Sequence, residues 1–462
     1  MPLKNILFSE FATHSRKKRS IEHYGYLLIL GFLFLSQIFV GTLLARLYPN
    51  GEVLRDFNFG FNQFKLLGLR GILVVIVLFG VVLVFRHKIN TQAAIFSAFL
   101  ERKKWRVTVF IWVTAVITML LFFIFSTRFI NQDGLKFERK FTRDVPVFGA
   151  HVTHDEMWEL YFHSRFWFYT NQYFGWDVPF SYRVISSFMG GIFIYTLLKY
   201  THQRFKDKWF ALALLISSGG YIQLFFGDVE NYTVTAVLIL IYFWSSDNYI
   251  RKKNSLIAPT VVLSIALVFH LLSGFFLPSL IYLYILAIQR KQFRSVTLGF
   301  TISALIIALN LVFFSYQGLP ISNLWTNSHA SGGGGRYDQY LVSPSFEYYS
   351  QIINLLFLLV PAFIFTIPLF VFKRIKYTEA NIYLLICTTG ALLLLLGWKA
   401  GWGVYNDWNL FAITALPISL LVWNNFDSIS DVGLKNDVAL IAGFVFSFHS
   451  LTWIMSNYMI GP

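Results

Sequence analysis

A single cysteine, Cys387, in 462 residues removes intrachain disulfides and cysteine-based metal sites from consideration. Charge is also scarce. Asp, Glu, Lys and Arg make up 13% of the chain, about half the share usual in soluble domains. That shortage excludes an ordinary globular enzyme. No internal repeat is visible, and no linker separates two soluble domains. The chain has no Walker loop, no G-x-S-x-G elbow, no GxGxxG strand–helix unit and no Cys–His zinc signature in a convincing context. Its glycines at 332–335 lack the Lys-Ser/Thr that a phosphate-binding loop needs.

Apolar residues, by contrast, make up 56% of the chain. They form runs of roughly twenty residues, each long enough to cross a hydrocarbon core of ~30 Å. The short alternating segments of a β-barrel are absent. The expected fold is therefore an all-α polytopic membrane protein, one integral membrane domain over 1–462. Runs fall near 24–46, 66–86, 107–130, 181–200, 208–227 and 231–250, then 294–316, 351–373, 380–398, 408–424 and 437–458. The segment 255–289 is too long for one crossing and has basic residues at both ends, Arg251-Lys252-Lys253 and Arg290-Lys291 with Arg294. It should enter and return, turning near His270-Leu271-Leu272-Ser273-Gly274, as a full hairpin or a re-entrant pair. The total is about thirteen spans.

The net charge of +15 sits in short clusters between apolar runs, the pattern of cytoplasmic loops rather than of nucleic-acid binding. Arg16-Lys17-Lys18-Arg19 precedes a first run too long for a signal-peptide core, so that run reads as a retained span. The orientation that follows has the N-terminus in the cytoplasm and the C-terminus outside, in a bacterial inner or cell membrane. The outer side then receives 131–180, Gly227 to Asn231, the His270 turn, 317–350 and Gly397 to Trp408. Within 317–350, Ser331-Gly332-Gly333-Gly334-Gly335 must be a flexible loop, since consecutive glycines pack nothing.

Nearly every unusual polar cluster falls on that outer side. Thr153-His154-Asp155-Glu156 opens an aromatic-rich segment and matches a capping box, so a helix should begin there. That helix is expected to be amphipathic and to lie in the interface plane, with Asp155, Glu159 and His163 along one line. In this reading Glu156 caps the helix while Glu159 and His163 form a solvated face, or the three could bind a divalent metal. No cofactor is required by the sequence. A second cluster, Asp228, Glu230 and Asn231, occupies a tight turn between two runs, where carboxylates are costly unless they face a polar cavity. Asn231-Tyr232-Thr233 matches a glycosylation sequon only incidentally, because it opens a span. His270 sits at the hairpin turn. Lys399, ringed by tryptophans, could meet an anionic headgroup or phosphate, with Arg336 and Arg183 as further cations. His449, inside the last run, reads as structural.

These residues resemble the GT-C superfamily of membrane glycosyltransferases, whose members use polyprenyl- or dolichyl-phosphate-linked sugars. His154-Asp155-Glu156 is similar to the His-Pro-Asp-Glu string of the dolichol-phosphate-mannose-dependent branch, with Thr153-His154 in place of His-Pro. The loop here follows the third crossing rather than the first. The resemblance implies that Asp155 is the catalytic base and Glu156 its neighbour. It implies an inverting displacement from a polyprenyl-phosphate sugar donor to a glycan, lipid or protein acceptor. A carboxylate would take the acceptor proton, and Lys399, Arg336 or Arg183, with His270, would meet the leaving phosphate. Asp228, Glu230 and Asn231 would hold substrate. Membrane lipids are the other expected partners, and nucleic acid is not. The rival expectations are a transporter or flippase, a lipid-linked glycan polymerase or ligase of different fold, and a scaffold.

Overall fold

The computed structural model describes residues 24–39, 63–127, 132–148, 150–153, 155–205, 209–319, 345–398, 400, 403–426 and 432–459. The expected residues His154, Arg336 and Lys399 lie outside them. The described chain is helical, with no strand. In chain order the helices are α1 (Tyr24–Ile38), α2 (Gly68–Glu101), α3 (Lys104–Ile124), α4 (Gln132–Phe148), α5 (Met157–Phe174) and α6 (Val178–Phe205). They continue with α7 (Trp209–Ser217), α8 (Thr233–Ile250), α9 (Ile257–Phe269), α10 (Leu277–Gln289) and α11 (Phe293–Tyr316). Then come α12 (Phe346–Leu359), α13 (Thr366–Val371), α14 (Glu379–Gly397), α15 (Ala415–Phe426) and α16 (Val432–Met459).

Among the described residues, 8 helices are long and apolar enough to cross a membrane, or 9 if the bent pair α12–α13 is one span. The other expected crossings fall on shorter or interrupted elements. The run 208–227 is not one helix: α7 ends at Ser217 and a 3-10 segment, Gly220–Phe225, follows. The break lies at Gly219-Gly220, where an added Cβ would come within 2.3 Å of the carbonyls of Leu359 and Leu358. Only glycine lets the two backbones approach that closely. Between α12 and α13 the chain bends by 104° at Pro361, a residue that cannot extend the preceding helix.

The segment 255–289 does break where its basic ends required. α9 stops at Phe269, His270 is extended, and a 3-10 turn over Leu271–Phe276 leads into α10. α2, with 34 residues, is ~51 Å long at ~1.5 Å per residue, more than a bilayer core needs. Its surplus projects past the bundle, where Glu101 meets His202 at the end of α6 at 3.0 Å.

The main core joins α6, α8, α9, α14, α15 and α16 around buried Trp209, Trp423, Tyr242 and Phe365. α2 and α11, in contrast, keep most of their apolar side chains exposed, as lipid-facing helices do. The loop expected over 131–180 is largely helical. In α4, Phe137, Phe141 and Val145 recur every fourth residue and are buried. They build a separate small core with Leu160, Trp167 and Tyr182, while Lys136, Glu138, Arg139 and Arg143 lie on the remaining faces. α4 is thus an amphipathic helix laid over α5 and α6.

Candidate active site

Three chain segments meet at one end of the bundle: the entry to α5, the turn 226–232 before α8, and the break at His270. The Leu271 N–H donates to the Asp155 carbonyl oxygen at 2.9 Å, which pins the break to the acidic motif. Asp155, Glu156, Asn231 and His270 are thereby brought together.

The capping box is not formed. α5 begins at Met157 with no side-chain cap at Glu156, because that carboxylate is engaged elsewhere. Asn231 Nδ2 donates to Glu156 Oε2 at 2.9 Å, and His270 Nε2 lies 3.4 Å from Oε1. The Leu272 N–H donates to His270 Nδ1 at 3.2 Å, so the ring's proton belongs on Nε2, facing Glu156. Tyr232 stacks on the imidazole at 5.0 Å between centroids. Asn231 is 0% exposed, which leaves its sequon no access to modification.

Glu159 and His163 are not a solvated face either; they are 0% and 1% exposed. Glu159 accepts from the Val234 N–H at 3.0 Å and from the Thr235 hydroxyl at 2.9 Å. It therefore caps the N-terminus of α8, where a carboxylate also opposes the helix dipole. His163 sits 3.8 Å from Glu159 and stacks on Tyr182 at 4.1 Å. α5 is therefore packed into the protein on this side rather than floated at the interface. Among the described residues no group of three or more His, Cys, Asp or Glu is arranged to hold a metal ion.

The electrostatics separate the carboxylates. Asp155 is half-buried, and its carboxyl is enclosed by protein. Burial holds its pKa above the ordinary value, the Glu156 charge adds to that, and His270 and the Thr153 hydroxyl act the other way. Asp228 is pushed up to about 7 by burial, against a lowering hydrogen bond from the Val229 backbone. For His270, burial pulls the pKa down, but Glu156, Asp155 and Glu159 outweigh it and leave the group above its ordinary value. The Leu272 donor at Nδ1 opposes that protonation.

Two cations complete the site, one of them not foreseen. Arg183, half-buried on α6, rests its stem on Gly227: an added Cβ there would lie 2.7 Å from Arg183 Cγ and 2.9 Å from Ser126 Cβ, and Gly227 has φ +76. Lys140 of α4 lies within electrostatic reach of Glu156 and Asp144, and burial with the nearby Lys136 charge lowers its pKa. Neither cation has a hydrogen bond or ion pair to a described residue. The signal for Lys140 was present in the sequence as the fourfold spacing of Phe137, Phe141 and Val145. Those positions define a helix that carries Lys140 over the motif.

The fold is that of a multi-pass integral membrane protein, with carboxylates and cations gathered at one end of its helical bundle. The same fold occurs in ArnT from Cupriavidus metallidurans. The match to that protein's crystal structure bound to undecaprenyl phosphate has TM-score 0.53 and 11% identity, over 76% of this chain and 77% of that one. Its apo crystal structure matches with TM-score 0.51 and 10% identity, over 77% and 78%. No family model and no curated protein sequence matches the chain.

Proposed function

We propose that this protein is an inverting glycosyltransferase that moves a sugar from a polyprenyl-phosphate donor to an acceptor hydroxyl at the extracytoplasmic membrane face. The observation that carries the reading is the pairing, at one end of the bundle, of an enclosed carboxyl with cations that form no ion pair with a described residue. A hydroxyl is a weak nucleophile, and Asp155, with its raised pKa, is a stronger base than an ordinary carboxylate. In the step, the acceptor O–H proton passes to Asp155 as the acceptor oxygen bonds to the sugar's anomeric carbon. The bond from that carbon to the phosphate oxygen breaks from the opposite face, and its electron pair leaves with the polyprenyl phosphate. Lys140 and Arg183 meet the charge that grows on that phosphate. Asp228 and Glu230 line the approach for sugar or acceptor hydroxyls, while Asn231 is engaged by Glu156 and Tyr182. The ArnT neighbour was crystallised with undecaprenyl phosphate, a leaving group of this kind.

The test is donor turnover by the purified protein in liposomes holding polyprenyl-phosphate sugars and candidate acceptors. The expected result is release of free polyprenyl phosphate with formation of an inverted glycosidic bond. Movement of intact donor between leaflets with no bond cleaved would establish a flippase instead.

A further inference from the structure

Glu156 is held on both oxygens by donors from distant parts of the chain, and one of those donors is itself oriented. A carboxylate can only accept, so the Asn231 group that faces Glu156 must be its NH2. That leaves Asn231 Oδ1 pointing the other way, where the Tyr182 hydroxyl donates to it at 2.8 Å. Tyr182 is fully buried in α6, fixed by stacking on His163 and on Phe141 at 6.1 Å. A phenol so placed has one proton to give, and it gives it to the amide.

We propose that Tyr182 is a positioning residue: by donating to Asn231 it anchors the far end of that amide, and so holds the Glu156 carboxylate in place beside Asp155. Without that donor the amide is anchored at one end only, and Glu156 is free to move away from Asp155. The Glu156 charge then acts less strongly on the Asp155 carboxyl. The other ionisable groups facing this pair are His270 at the break, Glu159 on α5 and Lys140 on α4, with Glu230 beside the Tyr182 hydroxyl.

The inference rests on the glycosyltransferase reading only for its kinetic arm. Carbodiimide attacks protonated carboxyls, so labelling of Asp155 against pH, read by peptide mass spectrometry, gives a midpoint without any turnover. In Tyr182→Phe, which keeps the ring stacking, that midpoint should fall by about one pH unit as the Glu156 charge moves away from Asp155. Asn231→Leu should do the same, and the double variant should go no further than either. In the kinetic arm, kcat should drop on the order of tenfold with donor KM unchanged. An unmoved midpoint in folded Tyr182→Phe, or shifts that add in the double variant, would overturn the relay. If the wild type transfers no sugar but the midpoint still moves, the relay stands and the enzymatic reading falls.

Discussion

The two ends of the bundle are both polar and both buried, yet they are built on opposite terms. α8 joins them, with Glu159 capping its start. Asp247, fourteen residues after Thr233, lies ~21 Å further along the helix. At that far end the buried charges among the described residues have partners. Asp247 meets Arg251 at 2.9 Å and Arg204 at 3.6 Å. Arg204 also reaches Asn424, which joins Asn381 and Asn425 in a buried amide cluster. Arg290 binds Glu379 at 2.5 Å and the carbonyls of Tyr249 and Ile250. At the site end, Lys140 and Arg183 form no ion pair with a described residue, and burial raises the Asp228 carboxyl. Burying a charge without its partner is expensive. In the proposed function, that less satisfied end is the one that meets the donor phosphate.

Removing charge at each end should therefore break different properties. The double variant Lys140→Ala/Arg183→Ala should lose about 10²–10³-fold in kcat, with its melting temperature held, as measured by donor turnover and thermal unfolding in detergent. A fall in stability with turnover per folded molecule intact would erase the contrast. Asp228 should show its burial as pH-dependent stability. Its pKa is raised in the fold to about 7, so its contribution is full below the unfolded value near 4 and is lost as pH rises through about 7. The slope is on the order of 1.4 kcal/mol per pH unit between those values. Asp228→Asn should flatten that slope and exceed the wild type in stability at pH 8, which thermal melts across pH 4–8 would check. At the far end, Asp247→Ala should cost about 2 kcal/mol, less than a fully buried pair because its arginines reach solvent. It should leave kcat unchanged, and equal losses of activity at both ends would contradict the division.

Much of this was legible in the sequence because membrane spans announce themselves by length and apolar composition. Basic residues flanking 255–289 located the break at His270, and the acidic strings at 155–156 and 228–231 marked the site end. What escaped the sequence was decided by partners far along the chain. Glu159 looked solvated because its acceptor role is for Val234 and Thr235, 75 and 76 residues away. Thr153 and Glu156 matched a capping box, but Asn231 and His270 won the carboxylate, a competition that spacing alone does not reveal. Tyr182 gave no signal at all, since an aromatic residue inside a span reads as core. α4 was different: its fourfold apolar spacing was there, and treating 131–180 as one loop with a single helix hid it.

The central claim is that Asp155 takes the acceptor proton while its neighbours only tune it. The direct measurement is single-turnover transfer by Asp155→Asn, with donor binding measured on the same protein. The account predicts a rate lower by about 10³-fold or more, with donor affinity within a few-fold of wild type. Transfer at near wild-type rate in a folded, donor-binding Asp155→Asn would contradict it.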